Sequence, residues 1–387
     1  MFRSAALTQD CAPSTTGRVH APVPAPVKSR VFQGVAPHGC SRRHRRTLVV
    51  QTLARDRLSA EEREEIEAVR ARLDQQLMLG TSVVNAEAQA QKEELARKAN
   101  DCPDCPTDDD HPSNGWRVLP HHLSKQDLWE RIRYEAQRDA AAEPALASNL
   151  YSTILAHTSI EKTLAFLLAN KLASPTLLGM QLMRLMAEAY EAERDLVDAA
   201  LADLQAVFDR DPACDSYSQA MLYFKGFQAV QCHRVAHYLW KGGRRALALA
   251  IQSRMSEVFH VDIHPGARLG RGILIDHATG VVIGETAVVG DNVSMLHHVT
   301  LGGSGTQRGV RHPIIGHGVL LGAGVTVLGP VTVGAGSKVG AGSVVVSDIP
   351  CHAVAVGVPA RIIKRDMRRE PVRDMDQCVD YVLNYVI

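Results

Sequence analysis

A repeat with a period of six residues, in the last third of the chain, constrains the fold more than any other feature. Apolar residues recur at every sixth position in two series: Ile263, Leu269, Ile275, Val281, Ala287, Val293 and Val299, then Ile315, Leu321, Val327, Val333, Val339 and Val345. This period predicts a left-handed parallel β-helix, in which three short strands make one triangular coil of about 18 residues. The repeated aliphatic side chains are expected to fill the prism.

A charged pair interrupts the apolar pattern within the sequence LIDHATG. Asp276 and His277 directly follow Ile275, which belongs to the inward-facing series. The interior of a triangular prism is too narrow to solvate a charge, and an unpaired buried charge is strongly unfavourable. At least one of the two side chains is therefore expected to project from the outer surface.

The two apolar series are out of phase with each other. From Val299 to Ile315 the chain advances by two hexads and four further positions. The excess predicts a loop extruded from the prism over residues 302–313, and this loop contains Arg311 and His312. Exposed loops that leave a rigid scaffold frequently carry binding residues.

The sequence before the repeat predicts helices. Residues 124–260 contain few Gly and many Ala, Leu and Met, with apolar residues at intervals of three and four. Ser124, followed by Asp127, is typical of a helix N-terminus. The segment FDRDPACD, at 208–215, places Arg210, Asp211 and Pro212 at a break between helices, where a charged side chain can project from a loop.

These observations predict an α+β fold. An α-helical domain over residues 124–260 precedes a left-handed β-helix over 261–362, and residues 363–387 are expected to form a flexible tail. Residues 56–123 are interpreted as a variable extension, partly helical or disordered. A chain of 387 residues is long enough for two or more folded units.

The N-terminus has the composition of an organelle transit peptide. Residues 1–55 carry nine Arg or Lys and a single acid, Asp10, and an Arg-rich, acid-poor start is typical of such peptides. A disordered tail with no targeting role is the alternative. The plastid is the expected location, and the mitochondrion is the second choice.

Charge, apolar run length and cysteine spacing argue against nucleic acid, a membrane and a metal ion as partners. The net charge of +1, from 43 basic and 42 acidic residues, gives no electrostatic reason to expect nucleic acid. No apolar run is long enough to cross a bilayer, so no membrane partner is expected. The eight cysteines are scattered and are interpreted as reduced thiols. Cys102 and Cys105 are a lone CxxC in a polar loop, and no metal site is predicted.

Several motifs accompany the repeat: FDRDPACD, VDIHPGARLGRGILIDHATGVVIGETAVVG, VTLGGSG, RHP at 311–313 and GVPAR at 357–361. A hexapeptide repeat alone indicates only a broad acyltransferase superfamily, whereas these motifs together are more specific. With them, residues 124–387 resemble serine O-acetyltransferase, the family that makes O-acetylserine for cysteine synthesis.

The resemblance implies a general base for attack by the serine hydroxyl on the thioester of acetyl-CoA. His277 is the candidate, because the pKa of an imidazole lies close to the working pH. Asp262 is implied as the carboxylate that orients it, as in catalytic triads. The two residues are 15 positions apart, a little under one coil.

The resemblance also implies residues that bind the amino-acid substrate. Asp211 and Asp276 match positions that bind serine, through its ammonium group. Arg311 and His312 match positions that meet the carboxylate and hydroxyl region, where an Arg can form two parallel hydrogen bonds. Because Asp211 belongs to the helical domain, the site is expected at the junction of the two domains.

Related hexapeptide acyltransferases form trimers and bind acetyl-CoA between adjacent subunits. The resemblance therefore implies a homotrimer or a dimer of trimers, with acetyl-CoA as co-substrate and no permanently bound cofactor. Gly303, Ala323 and Gly324 are candidate wall positions of the coenzyme groove, and Lys338 is a candidate phosphate contact.

The family implies a protein partner as well. The C-terminal Ile387 is expected to insert into O-acetylserine (thiol) lyase, while packing of the terminus on its own subunit is the alternative. Cysteine is an expected feedback inhibitor, because it differs from serine only by sulfur in place of oxygen.

Three other functions are compatible with parts of the sequence. One is a hexapeptide acyltransferase with another acceptor, such as a sugar or homoserine. A second is a γ-type carbonic anhydrase, which would hold zinc through histidines such as His277, His297 and His298; the helical domain and the RHP loop argue against it. A third is a regulatory scaffold for the lyase.

Overall fold

The computed structural model describes residues 90–101, 123–305, 309–365 and 371–375. The described residues belong to one compact unit, Met78–Ile387. The predicted transit segment, most of the predicted extension and most of the tail, including Ile387, lie outside the described residues.

Helices occupy the described chain up to Phe259. The first, α1, covers residues 90–100. The others are α2 (Lys125–Ala142), α3 (Pro144–Leu150), a π-helical turn (Tyr151–Leu155), α4 (Ile160–Leu172), α5 (Gly179–Ala192), α6 (Arg194–Arg210), α7 (Tyr217–Tyr223), α8 (Lys225–Lys241) and α9 (Arg245–Phe259). In the part of the chain that the structure describes, each helix is too short or too polar to cross a membrane.

Local chemistry explains where α2 begins. The Ser124 hydroxyl accepts a hydrogen bond from the Asp127 backbone N–H at 3.2 Å and donates to the Asp127 carboxylate at 2.7 Å. This N-cap satisfies a backbone donor that has no partner inside the helix. Leu128, Ile132 and Ala136 then follow at helical spacing and are fully buried.

The β-helix consists of short strands in three sheets. The strands are β1 (Val261–Ile263), β2 (Arg268–Leu269), β3 (Leu274–Ile275), β4 (Val281–Ile283), β5 (Val288–Val289), β6 (Ser294–Met295), β7 (Thr300–Gly302), β8 (Ile314–Ile315), β9 (Leu320–Leu321), β10 (Thr326–Leu328), β11 (Thr332–Val333), β12 (Lys338–Val339), β13 (Val344–Val345), β14 (Ala353–Val356) and β15 (Arg361–Arg365). Sheet A has the order β1-β4-β7-β10-β13, sheet B β11-β8-β5-β2, and sheet C β15-β14-β12-β9-β6-β3. The described elements confirm the predicted order of a helical region followed by a parallel β-solenoid.

The first coil is longer than the second by two positions. Ile283 pairs with Leu301, so the second coil advances the chain by three hexads, as expected. Ile263 pairs with Ile283, so the first coil advances it by three hexads and two further positions. The two additional positions lie in the corner after Ile275, within the segment DHATG.

The predicted apolar series loses its register at this corner. The true continuation of the first series is Ile283, Val289, Met295 and Leu301. The predicted residues lie two positions earlier and are also buried, because each hexad has a second inward-facing position; they are Val281, Ala287, Val293 and Val299. Leu269, in the first coil, is half-buried rather than enclosed.

The register excess at the extruded loop is larger than predicted. Leu301 pairs with Val327, so this coil advances the chain by three hexads and eight further positions, rather than the four that the sequence predicts. The chain leaves the prism after Gly302, the last residue of β7, and returns at Ile314, the first of β8. The loop therefore begins at residue 303, one position later than predicted, and ends at 313.

The end of the prism differs from the prediction too. The predicted tail from residue 363 begins inside β15, which returns antiparallel to β14 and pairs Ala353 with Arg365. A short helix, α10 (Pro371–Asp374), follows among the described residues.

A buried ion pair joins the helices to the first coil. Arg234 on α8 lies 2.7 Å from the Asp203 carboxylate on α6, and both side chains are buried. The same carboxylate accepts a hydrogen bond from the Ile273 backbone N–H at 2.9 Å. Because removing one partner would leave an uncompensated buried charge, this cluster fixes the helices against β3.

Candidate active site

The corner between β3 and β4 presents His277 to solvent. His277 and Ala278 both have left-handed backbone conformations, with φ of 55° and 58°, which are unfavourable for residues other than Gly. The Ala278 side chain is fully buried, whereas the His277 side chain is 74% exposed. The two-residue insertion therefore turns the imidazole outward, as expected for one member of the charged pair.

Asp211 and Asp276 face the same cavity as His277. The cavity, of about 1050 Å³, is lined by the end of α6, the start of α8 and this corner. Burial raises the pKa of Asp276, and the Asp211 carboxylate adds to the rise. Two neighbouring carboxylates in a partly buried site favour a bound cation, because the cation removes their repulsion.

Arg210 holds Asp211 at this cavity. The Arg210 guanidinium is buried rather than projecting from a loop, as the sequence had suggested. It donates hydrogen bonds to the Gly272 carbonyl at 3.0 Å and to the Asn292 amide oxygen at 3.0 Å. The next residue, Asp211, caps α6 and accepts from the Ala213 N–H at 2.9 Å. The first two coils thus fix the end of α6 and the carboxylate that follows it.

Asp262 is hydrogen-bonded to the helical domain. It occupies the middle of β1 in sheet A, where its carboxylate accepts a hydrogen bond from the Gln252 amide at 2.6 Å. Within the described residues no hydrogen bond joins Asp262 to His277. The His277 Nε2 instead lies 3.7 Å from Asp276 Oδ2. The described residues thus show Asp262 bonded to the helical domain, and its role beside His277 stays a prediction.

Arg311 and His312 lie at the opposite edge of sheet A, beside the corner after β4. Arg311 donates to the Glu285 carboxylate at 2.6 Å, and His312 Nδ1 lies 2.8 Å from the Thr286 hydroxyl. Burial and the Arg311 guanidinium lower the pKa of His312 to about 4. At neutral pH His312 is therefore uncharged, and Arg311 is the cation of this pair.

The predicted site residues thus lie in two separate clusters, which are called half-sites below. Asp211, Asp276 and His277 lie at the corner before β4, whereas Arg311 and His312 lie beside the corner after it. The first cluster lines a cavity together with the end of α6 and the start of α8.

The predicted coenzyme residues are divided between the two edges of sheet A and sheet C. Gly303 lies close to His312, since a Cβ atom added at Gly303 would be only 3.2 Å from the imidazole Nε2. Ala323 and Gly324 lie two coils beyond His277 on its own edge, where the Gly324 N–H donates to the His297 carbonyl at 2.9 Å. Lys338 is 9% exposed and lies on β12 in sheet C.

Histidines continue along the His277 edge into the next coil. The His277 and His297 rings are 6.1 Å apart, and His297 Nδ1 lies 2.9 Å from His298 Nδ1. Among the described residues, no group of three or more His, Cys, Asp or Glu is arranged to hold a metal ion.

Several residues at these edges have no role that the sequence alone predicts. Glu285 and Thr286 belong to the quoted motif GET, and their partnership with Arg311 and His312 depends on the register of two coils. Gln252 gives no local signal, because its contact with Asp262 joins α9 to β1.

A prism of hexapeptide coils with an outward histidine and carboxylates at one corner defines a hexapeptide-repeat acyltransferase. The family profile described as "Bacterial transferase hexapeptide (six repeats)" matches residues 312–347. The profile described as "Serine acetyltransferase, N-terminal" matches residues 128–232.

Curated relatives define the family more narrowly. The chain is 59% identical to "Serine acetyltransferase 5" of Arabidopsis thaliana over 61% of its own length and 76% of the relative. It is 50% identical to "Serine acetyltransferase" of Salmonella typhimurium over 65% of its own length and 92% of the relative. The chain belongs to the serine acetyltransferase family.

Solved structures agree in fold. "Soybean Serine Acetyltransferase Complexed with Serine" is 60% identical, has a TM-score of 0.60 and matches 61% of this chain and 97% of that one. "Serine Acetyltransferase- Complex with Cysteine" is 47% identical, with a TM-score of 0.65, and matches 66% and 100%. A complex with coenzyme A from Brucella abortus is 47% identical, with a TM-score of 0.61, and matches 62% and 95%.

Proposed function

We propose that this acyltransferase moves an acetyl group from acetyl-CoA to the hydroxyl of L-serine, giving O-acetyl-L-serine for cysteine biosynthesis. One observation carries the proposal. Two neighbouring carboxylates, Asp211 and Asp276, lie beside an outward imidazole, His277, at one corner of the prism. That set suits a substrate with an ammonium group close to a hydroxyl. The solved relatives in complex with serine and with coenzyme A support it.

His277 is the general base in this proposal. Its imidazole takes the hydroxyl proton as the serine oxygen attacks the thioester carbonyl, and the imidazolium then protonates the departing CoA thiolate. Exposure of the His277 ring supports this role, because both substrates must reach the same nitrogen. Asp276 is close enough to stabilise the imidazolium. Asp262 keeps its implied orienting role only if substrate binding or assembly shifts one of the two side chains.

Both half-sites are needed to bind serine. Asp211 and Asp276 attract the ammonium group, while Arg311 binds the carboxylate with two N–H groups and neutral His312 hydrogen-bonds near the hydroxyl. Because the half-sites lie at opposite edges of sheet A, a threefold assembly would bring the first edge of one copy to the second edge of its neighbour. We therefore propose a homotrimer, single or doubled, with three shared sites in each trimer.

Acetyl-CoA is the co-substrate, and the proposal requires no permanently bound cofactor. The pantetheine arm would follow the His277 edge past Ala323 and Gly324, where small residues leave backbone groups accessible. Gly303 lines the opposite wall beneath His312. Lys338 stays a predicted phosphate contact, and its low exposure makes it the weakest member of the set.

A protein partner, feedback inhibition and targeting complete the proposal. Ile387 is proposed as the contact with O-acetylserine (thiol) lyase, and cysteine as a feedback inhibitor that occupies the serine pocket, which the solved complex of a relative with cysteine supports. Residues 1–55 are proposed to direct the chain to the plastid, as their Arg-rich, acid-poor composition suggests.

An acceptor assay tests the function. Release of CoA thiol is measured with acetyl-CoA and either L-serine, L-homoserine or glucose, and the product is identified by mass spectrometry. We expect serine to be acetylated with the highest kcat/KM, because an added methylene moves the hydroxyl of homoserine away from His277 while its ammonium and carboxylate stay bound. Faster turnover of another acceptor would identify a different member of the superfamily.

A further inference from the structure

Helix α1, residues 90–100, packs against the outer surface of sheet B. Its inward positions follow helical spacing, with Lys92 and Ala99 buried and Leu95 and Ala96 partly buried between them. The apolar members contact outward-facing residues of β5 and β8, namely Val288 and Ile314. This segment lies outside both matched family profiles, which cover residues 128–232 and 312–347.

Specific contacts fix the direction of α1. At its C-terminal end, the Ala99 carbonyl accepts from the Ala335 N–H at 3.1 Å, and Asn100 Oδ1 accepts from the His317 N–H at 2.8 Å. At its N-terminal end, Glu93 lies 3.6 Å from the Arg268 guanidinium in the first coil. Seven helical residues span about 10 Å, which corresponds to about two stacked coils. The helix therefore runs along the prism axis.

This direction places Lys92 beside the second half-site. Lys92 is 8% exposed although it is a lysine, and its electrostatic neighbours are Glu285, Arg268 and Arg311. Burial lowers the pKa of Lys92, and the Glu285 carboxylate opposes the shift. Glu285 and Arg311 are the ion pair next to His312, so Lys92 approaches the pair assigned to the serine carboxylate.

The charges at this edge explain why an additional cation matters. Glu285 is hydrogen-bonded to Arg311 at 2.6 Å and so neutralises its charge. An arginine that is already paired attracts a second carboxylate weakly, because the two carboxylates repel each other. With His312 neutral, Lys92 restores a net positive charge to the cluster.

We propose that Lys92, supplied by the N-terminal extension, is a specificity-determining residue for the substrate carboxylate, which it attracts toward the Arg311–Glu285 pair. The inference rests on the proposed function, in which Arg311 binds the carboxylate of serine. It gives the extension a role in substrate affinity, beyond any role in targeting.

Steady-state kinetics of the full chain test the proposal. Lys92→Met, which keeps the aliphatic stem, is expected to raise KM for serine by about fivefold to tenfold. Both kcat and KM for acetyl-CoA should stay within about twofold of the unaltered chain, because the charge acts on one substrate group. Lys92→Arg should restore most of the affinity for serine.

A matched control lies on the same helix. Lys98 is 62% exposed and pairs with Glu94 at 3.5 Å, on the side away from the prism. Lys98→Met removes the same charge from α1 and should leave KM for serine unchanged. Gel filtration of all four chains should give one elution volume, which separates altered affinity from altered assembly.

The outcomes distinguish this inference from the proposed function. If the unaltered chain does not acetylate serine, the proposed function fails whatever Lys92 does. If the unaltered chain is active and Lys92→Met keeps its KM for serine within about twofold, the inference about Lys92 is overturned. A loss of kcat and thermal stability that Lys92→Arg does not restore would also overturn it, since it would show a purely structural role.

Discussion

His277 owes its position to two residues that the repeat does not require. The insertion forces His277 and Ala278 into left-handed conformations, with one side chain outside the prism and the other inside. Backbone strain of this kind is stabilised by the surrounding structure, here the stacked coil beneath the corner. A functional group is thereby held on a rigid scaffold.

Replacement of this imidazole tests its role. His277→Ala is expected to lower kcat by about 10²- to 10⁴-fold, the usual contribution of a general base. Thermal stability should change little, because the ring is 74% exposed. His297→Ala, whose ring lies 6.1 Å away, is the matched control. A near-normal kcat in His277→Ala would show that another group removes the proton.

The carboxylates of Asp211 and Asp276 are expected to favour substrate binding but to lower the stability of the folded chain. The folded state raises the pKa of Asp276, so the unfolded state binds fewer protons and stability falls as pH rises through the raised value. Asp276→Asn should therefore raise Tm at pH 8, and the gain should shrink as pH falls toward the ordinary pKa of a carboxyl. The same variant should bind serine more weakly. An unchanged Tm at pH 8 would contradict the assignment of the raised pKa of Asp276 to burial and to repulsion by Asp211.

At the scale of elements, the close approach of α8 to β3 positions the corner. A Cβ atom on Gly226, near the start of α8, would lie 1.9 Å from the Ile275 carbonyl oxygen. Ile275 directly precedes Asp276, so any displacement there is passed to the corner that carries Asp276 and His277.

Two glycine variants on this helix test that dependence. Gly226→Ala is expected to cost about 1–3 kcal/mol of unfolding free energy, as overpacking usually does, and to lower activity. Gly242→Ala, at the other end of α8, meets its nearest neighbour at 3.5 Å and should be tolerated. Denaturant unfolding and the acetyltransferase assay measure both effects. Equal stability of the two variants would contradict the prediction, because α8 could then move away from β3 without loss of unfolding free energy.

Elements were predictable from sequence where local chemistry determines them. The N-cap at Ser124 and the six-residue period each depend on neighbouring residues, and the structure shows both. The insertion after Ile275 was missed because the residue two positions before each inward aliphatic is also apolar, as with Val281 before Ile283. A shift of two residues is therefore invisible to hydropathy.

The site was likewise predictable only where neighbouring residues in the sequence determine its geometry. The narrow core of the prism allowed the deduction that at least one of Asp276 and His277 faces outward. The partners of Asp262, Arg210 and Arg311 could not, because each contact joins residues that only the tertiary register brings together. The functional roles of these residues stay predictions.

At the scale of the whole molecule, the separation of the two half-sites predicts that adjacent copies of the chain share a site. His277 and Arg311 occupy opposite edges of sheet A, and serine needs both a base and a carboxylate partner. The central claim is therefore that the His277 edge of one copy and the Arg311 edge of the next form a single acetyl-transfer site.

Hybrid trimers test this claim most directly. His277→Ala and Arg311→Ala chains are each expected to be nearly inactive alone, and equal amounts are unfolded together, refolded and assayed with serine and acetyl-CoA. Random mixing should restore about one quarter of the unaltered activity, because one interface in four receives both intact edges. Absence of any recovery in correctly assembled hybrids would show that each site lies within one chain, and would contradict the claim of a shared site.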